Sequence, residues 1–359
     1  MRLPVSASRV SASKTVLLLL VAGALAATAG TLTARLRTGA ADTMATAAAA
    51  WLDTLDDAQR ALASKEFGDE SRVGWHFIPK NDRKGVQLRD MTDGQQEAAR
   101  RLLRSALSQL GYAKSTTIMQ LEGILNVHEA GRGANVRDPL RYYFTIFGKP
   151  AETGSWGLSI EGHHLSYNFT VRDGRLVDTT PQFMGANPAV VKATLEGFPK
   201  EGTRVLRDEE ALAFELVNSL EGDARAKAII AEEPLKEIRA AGEPQAPREP
   251  LVGISYAELP GTAKALLERL VKVYCSTMPE EVAAERLSLI EEAEGGWDGI
   301  HFAWAGALEP GVGHYYRVEG ATFVIEFVNV QPDAEGNVAN HIHCVWRDKT
   351  GDFDLAASN

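Results

Sequence analysis

The chain has 359 residues, 45% hydrophobic and 24% charged, a composition that excludes disorder, collagen-like repeats and a disulfide scaffold. Its formal charge is −10, and the first 40 residues carry five bases (Arg2, Arg9, Lys14, Arg35, Arg37) and no acid. The remainder sets 33 bases against 48 acids, which argues against a nucleic-acid partner.

Arg2, Arg9 and Lys14 precede the apolar run Thr15–Ala27, and small residues follow. That order is the layout of a secretory signal, with Ala24-Leu25-Ala26 as an A-x-A cleavage site. Residues 1–30 are therefore expected to direct export to the periplasm, cell surface or extracellular space. An uncleaved membrane anchor is the alternative, although the dense apolar stretch is short for a span of about 20 residues. Any membrane contact would run through that segment alone.

Trp51, Leu52 and Leu55 in an alanine-rich stretch predict a helix over 44–64. Trp75-His-Phe77 with Pro79 and Gly85 predicts a strand and turn over 72–90. Thr92 is placed to cap a helix whose apolar face is Ala98, Ala99, Leu102, Leu103, Ala106, Leu107 and Leu110. Strands are expected over 142–147 and 157–171, then a loop punctuated by Pro181, Gly185 and Pro188. An acidic helical stretch spans 208–236, and the Pro-rich residues 237–250 read as a linker. Helices over 263–274 and 279–293 precede strands over 300–304, 315–320, 322–330 and 341–347. Cys275 and Cys344 both sit in apolar surroundings, and a bridge between them stays open, because sequence does not supply its geometry.

At a constant offset of 158, Phe144 meets Phe302, Gly148 meets Gly306, Glu161-Gly162 meets Glu319-Gly320 and Phe169 meets Phe327. A helical segment precedes each block. The pattern hints at an internal duplication, with halves over about 72–236 and 251–348 inside one domain spanning 44–354. Strands clustered apart from helices favour an α+β fold over a doubly wound sheet.

Half of the eight histidines fall in two motifs, Glu161-Gly-His163-His164-Leu-Ser-Tyr-Asn168 and His341-Ile-His343-Cys-Val-Trp-Arg347-Asp348. Alternation along a strand places His341, His343, Val345 and Arg347 on one face, the more polar one. Read as a strand, the first motif sends His164 to one face with Ser166 and Asn168, and His163 to the other with Glu161. His164, His341 and His343, with His163 as a further candidate, could hold a divalent metal such as zinc, iron or copper. Glu161 is the candidate general acid/base, on condition that the strand bends at Gly162. Arg347 and Asn168 are the candidates to bind an anionic substrate group. Neither H-E-x-x-H nor G-x-S-x-G is present.

Trp156–Thr170, Pro181-Gln-Phe-Met-Gly-Ala-Asn-Pro188 and His341–Asp348 resemble the family called domain of unknown function 3500. Arg137-Asp-Pro-Leu-Arg-Tyr-Tyr143 and Trp75-His-Phe-Ile-Pro79 resemble it too. The resemblance implies a single family-wide domain in an often exported protein, and it implies no particular activity.

Two classes of function remain open. One is an exported metal-dependent hydrolase acting on a small anionic molecule. The other is a non-catalytic ligand-binding or structural protein with a metal-free His/Arg pocket.

Overall fold

The computed structural model describes residues 39–80, 82–130 and 136–356. The expected signal over 1–30 lies outside the described residues. Helix α1 covers residues 39–54 and α2 is Asp57–Ala63, opened by an Asp56/Gln59 capping box. Helix α3 (Asp93–Ala106) starts from Thr92, whose side chain accepts from the Gln95 backbone while Gln95 reaches back. Its face Ala98, Ala99, Leu102, Leu103 and Ala106 is buried as the spacing requires.

That helix stops at Leu107, and Ser108 caps a second helix, α4 (Gln109–His128). Leu110 therefore belongs to α4 and is exposed. Helix α4 has no clean apolar stripe because it buries polar and small residues, Lys114, Ser115, Glu122 and Gly123, among its Ile and Leu side chains. Gly123 is required by contact: a Cβ there would sit 1.9 Å from the Phe198 ring.

The fold is α+β, built on a 13-stranded sheet. In chain order its strands are β1 (Ser64–Lys65), β2 (Val86–Gln87), β3 (Tyr143–Gly148), β4 (Ser155–Gly162), β5 (Leu165–Arg172), β6 (Arg175–Asp178) and β7 (Gln182–Ala186). Then come α5 (Arg207–Ser219), α6 (Gly222–Ala228), β8 (Ile229–Ala231), β9 (Ile254–Ser255), α7 (Gly261–Cys275) and α8 (Glu280–Glu292). The chain closes with β10 (His301–Gly306), β11 (His314–Glu319), β12 (Phe323–Asn329) and β13 (Ile342–Asp348).

The spatial order β1-β3-β4-β5-β7-β13-β12-β11-β10-β8 is a palindrome about the β7–β13 pair. Registers repeat as well. Tyr143 pairs with Glu161 where His301 pairs with Glu319, and Ser159 pairs with Asn168 where Arg317 pairs with Glu326. The sheet is pseudo-twofold, and the 158-residue offset of the sequence holds through three strands of each half.

Strand β7 occupies the centre although its residues read as a loop. Pro181 and Pro188 lie just outside it, so neither removes a ladder hydrogen bond, and Gly185 is accommodated within it. The 72–90 stretch departs the other way. Trp75 and Phe77 form no strand but fill a core cluster with Phe183, Ile238, Val345 and Phe353.

The face of β13 carrying His343, Val345 and Arg347, expected to be the polar one, is covered by this cluster and by residues 237–246. The main core, including α3, α4, α5 and α7, covers the opposite face. Both cysteines are buried and free, so no bridge joins them.

Candidate metal centre

Strand β4 runs in register to the pair Gly162↔Leu165, which leaves His163-His164 as a two-residue turn. The two imidazoles therefore do not alternate between strand faces as expected. They stack, with ring centroids 3.7 Å apart. His164 takes a left-handed backbone (φ 62°), an uncommon conformation for a non-glycine residue. It is held there from both sides: its N–H donates to Phe77 O at 2.9 Å and its C=O accepts from Gly185 N–H at 2.8 Å. Gly185 makes room for the ring, since a Cβ there would lie 2.9 Å from His164 Cδ2.

From across the dyad, the start of β13 brings His341 and His343 to the same point. Nε2 of His164 lies 2.8 Å from Nε2 of His341 and 3.3 Å from Nε2 of His343, and the last two are 3.1 Å apart. His343 Nδ1–H donates to both oxygens of Glu237, at 2.8 and 2.9 Å, so in the neutral ring Nε2 carries the lone pair. His341 Nδ1 faces the Asn187 amide at 3.3 Å. With that amide turned so that Oδ1, otherwise unpartnered, meets the ring, Nδ1 of His341 also donates. Burial and the neighbouring imidazoles hold the pKa of His164 and His341 well below the usual 6.5. With all three rings in the Nδ1–H tautomer, three Nε2 lone pairs meet at one point, an arrangement that suits a metal ion. Zinc–nitrogen bonds of about 2.0–2.1 Å in a tetrahedron separate the nitrogens by roughly 3.3–3.4 Å, so a slight opening of the triangle admits the ion.

His163 takes a different partner. Its Nδ1 meets Glu122 Oε1 of α4 at 2.5 Å, and Arg137 Nη1 lies 3.0 Å from the same nitrogen. Glu122, His163 and His164 also lie close enough to hold a metal, but the guanidinium beside them opposes a second cation.

The remaining candidates are committed elsewhere. Glu161 stays in regular strand and pairs with Lys84 at 3.2 Å and Arg83 at 3.7 Å. The bend at Gly162 that a catalytic role required is absent. Arg347 is 0% exposed. It donates to Asp352 Oδ2 (2.8 Å), Ala240 O (3.2 Å) and Glu243 O (2.9 Å), and it lies over the Trp75 ring. Asn168 is buried and donates to Pro181 O at 2.9 Å. Arg347 fixes residues 237–246, a strap laid across the sheet, Asn168 fixes the approach to β7, and neither reaches solvent to meet a substrate.

Sequence reasoning missed Glu237, Glu122 and Asn187. The stretch over 237–250, which reads as a linker, crosses the sheet and delivers Glu237 to His343. A small pocket of about 10 Å³ lies beside His163, lined by Lys80, Arg83, Arg141, Glu122 and Tyr142.

A family model covering residues 37–355 matches this chain, His motifs and strap included. The chain belongs to the family described as Protein of unknown function (DUF3500). Its domain thus takes in both halves of the pseudo-twofold sheet. No curated protein and no solved structure matches the chain. Among the described residues no helix is long and apolar enough to cross a membrane.

Proposed function

We propose that this protein is an exported metal-dependent hydrolase of a small anionic substrate. The observation that carries the reading is the triangle of three Nε2 atoms at 2.8–3.3 Å. His164, His341 and His343 would be the protein ligands, the number found in catalytic zinc sites that keep a position open. Glu237 supports the reading as the carboxylate that orients a ligating imidazole from behind and raises its basicity. A divalent ion bound there would supply Lewis acidity and bring the pKa of water towards about 7.

The substrate's anionic group would approach the mouth of the small pocket beside His163, where Lys80, Arg83 and Arg141 supply positive charge and Arg137 lies next to the ring. These cations take the part first given to Arg347. Export rests on the first 30 residues of the sequence.

A second reading, a metal held for structure or binding without turnover, is favoured by one observation. His164 and His343 are buried, and only His341 of the three is partly exposed.

Elemental analysis of the purified mature protein tests the site. Near-stoichiometric zinc, iron or copper in the wild type, lost in His341→Ala/His343→Ala, is the expected result. Protein that resists loading with all three ions overturns it. Metal-loaded protein assayed on phosphate and carboxylate esters then separates the readings: hydrolysis that disappears in the double variant supports the enzyme. Stoichiometric metal with no turnover leaves the second.

A further inference from the structure

The dyad that brings the histidines together also defines their counterparts. The turn before β5 corresponds to the turn before β12, so Thr322 stands where His164 stands. Leu165 of β5 pairs with Met184, whereas Phe323 of β12 pairs with Asp348. The last strand of the second half is therefore displaced by 164 residues, six more than the strands before it. On that offset Val177 and Thr179 stand where His341 and His343 stand. Val177, Thr179 and Thr322 line one cleft. Where one half gathers three imidazoles, the other opens a small cleft of about 120 Å³.

The charge beside the two places is opposite. Helix α4 brings Glu122 to the imidazoles, and α8 brings Arg286 to the cleft. Arg286 is only 7% exposed. It donates to Gln182 Oε1 at 2.8 Å and Thr179 Oγ1 at 2.7 Å, and lies 4.7 Å over the Trp346 ring. These acceptors are neutral, as is the third, Thr179 O at 3.4 Å. The other deeply buried cations, Lys114, Arg317 and Arg347, each have a carboxylate within 4.0 Å. Arg286 has none among the described residues.

Asp178 and Asp348 lie near enough to favour its charge, but neither forms an ion pair with it and both are engaged by other donors. Asp178 is held by the N–H groups of Thr179, Thr180 and Asp354, and Asp348 by Thr350. Glu285 also lines the cleft. A buried guanidinium without a counter-ion is costly, and a planar carboxylate matches its fork. The apolar part of the wall is Leu176, Val282, Leu289, Phe323 and Trp346, with the hydroxyls of Thr180 and Thr350 beside it.

We infer that this cleft is a binding site for a small organic carboxylate with an apolar tail, its charged end on Arg286 and its tail against Phe323 and Leu289. The site is distinct from the metal centre and does not depend on it.

Calorimetry with hexanoate, hexanamide and inorganic phosphate on the full-length mature protein tests the inference. Saturable hexanoate binding in the low millimolar range or tighter is expected, about tenfold or more weaker in Arg286→Gln and lost in Leu289→Trp, with metal content unchanged. Leu289 is 47% exposed, so the tryptophan fills the cleft without entering the core. If Arg286→Gln fails to fold, the neutral hexanamide and Leu289→Trp still decide. Hexanamide binding as well as hexanoate, phosphate binding as tightly as hexanoate, or no saturable hexanoate binding would each overturn the proposal.

Discussion

At one end of the pseudo-dyad the β4–β5 turn and the start of β13 present His164, His341 and His343. At the other, the β11–β12 turn and the residues before β7 present Thr322, Thr179 and Val177. The register that places the two sets is the same through three strands. The difference lies in what is laid against each end. The strap over 237–246 crosses the histidine end and contributes Glu237, while the other end stays open beside Arg286. A repeated scaffold fixes where side chains converge, and the non-repeated segments decide what converges there.

The largest test of that contrast removes one converging side chain from each end. His164→Ala should weaken metal affinity by more than about a hundredfold, whereas Thr322→Ala should leave it unchanged; competition with a chromogenic chelator reads both. Equal effects at the two ends would break the comparison.

Arg347→Met comes next. Breaking its buried pair with Asp352 should cost about 3–5 kcal/mol of stability in denaturant titration, while metal bound per folded molecule stays constant. A loss of substrate affinity at unchanged stability would return Arg347 to the role the sequence suggested.

Glu237→Gln should keep the fold and weaken metal binding by about 10–100-fold, with Glu237→Asp recovering part of it. Gly185→Ala should displace the His164 ring and destabilise the protein by about 1–3 kcal/mol; the metal affinity should fall with it.

The smallest effect concerns pH. His164 and His341 are neutral in the folded protein, their pKa values depressed by burial, and near 6.5 when unfolded. Below about pH 6.5 the unfolded chain binds protons that the folded one refuses, so stability falls as pH falls. Chemical denaturation of metal-free protein at stepped pH should show this slope, and His164→Gln/His341→Gln should flatten it.

The histidine trio was legible because strand alternation alone puts His341 and His343 on one face, and strand β13 formed where its apolar residues predicted. The His163-His164 turn was not legible, because Leu, Tyr and Phe on either side continue the strand pattern across it. Glu237 was hidden by its own neighbourhood: Pro244, Pro247 and Pro250 mark an irregular backbone, and irregular reads as linker, though the segment is packed against the sheet. Helix α4 escaped because burial on most sides erases the periodicity on which a helix is recognised. Strand β7 escaped because its flanking prolines look like breakers, while their position just outside the ladder makes them harmless.

The flanks of the sheet carry a consequence of their own. The outer side of β3 is taken by β1 and β2, and that of β10 by β8 and β9, none longer than three residues. A long open sheet offers its outermost backbone groups to any passing strand, and short pieces laid at both margins deny a neighbour the run of N–H and C=O groups it would need. Together with a net charge of −10, these margins should discourage edge-to-edge aggregation without any disulfide.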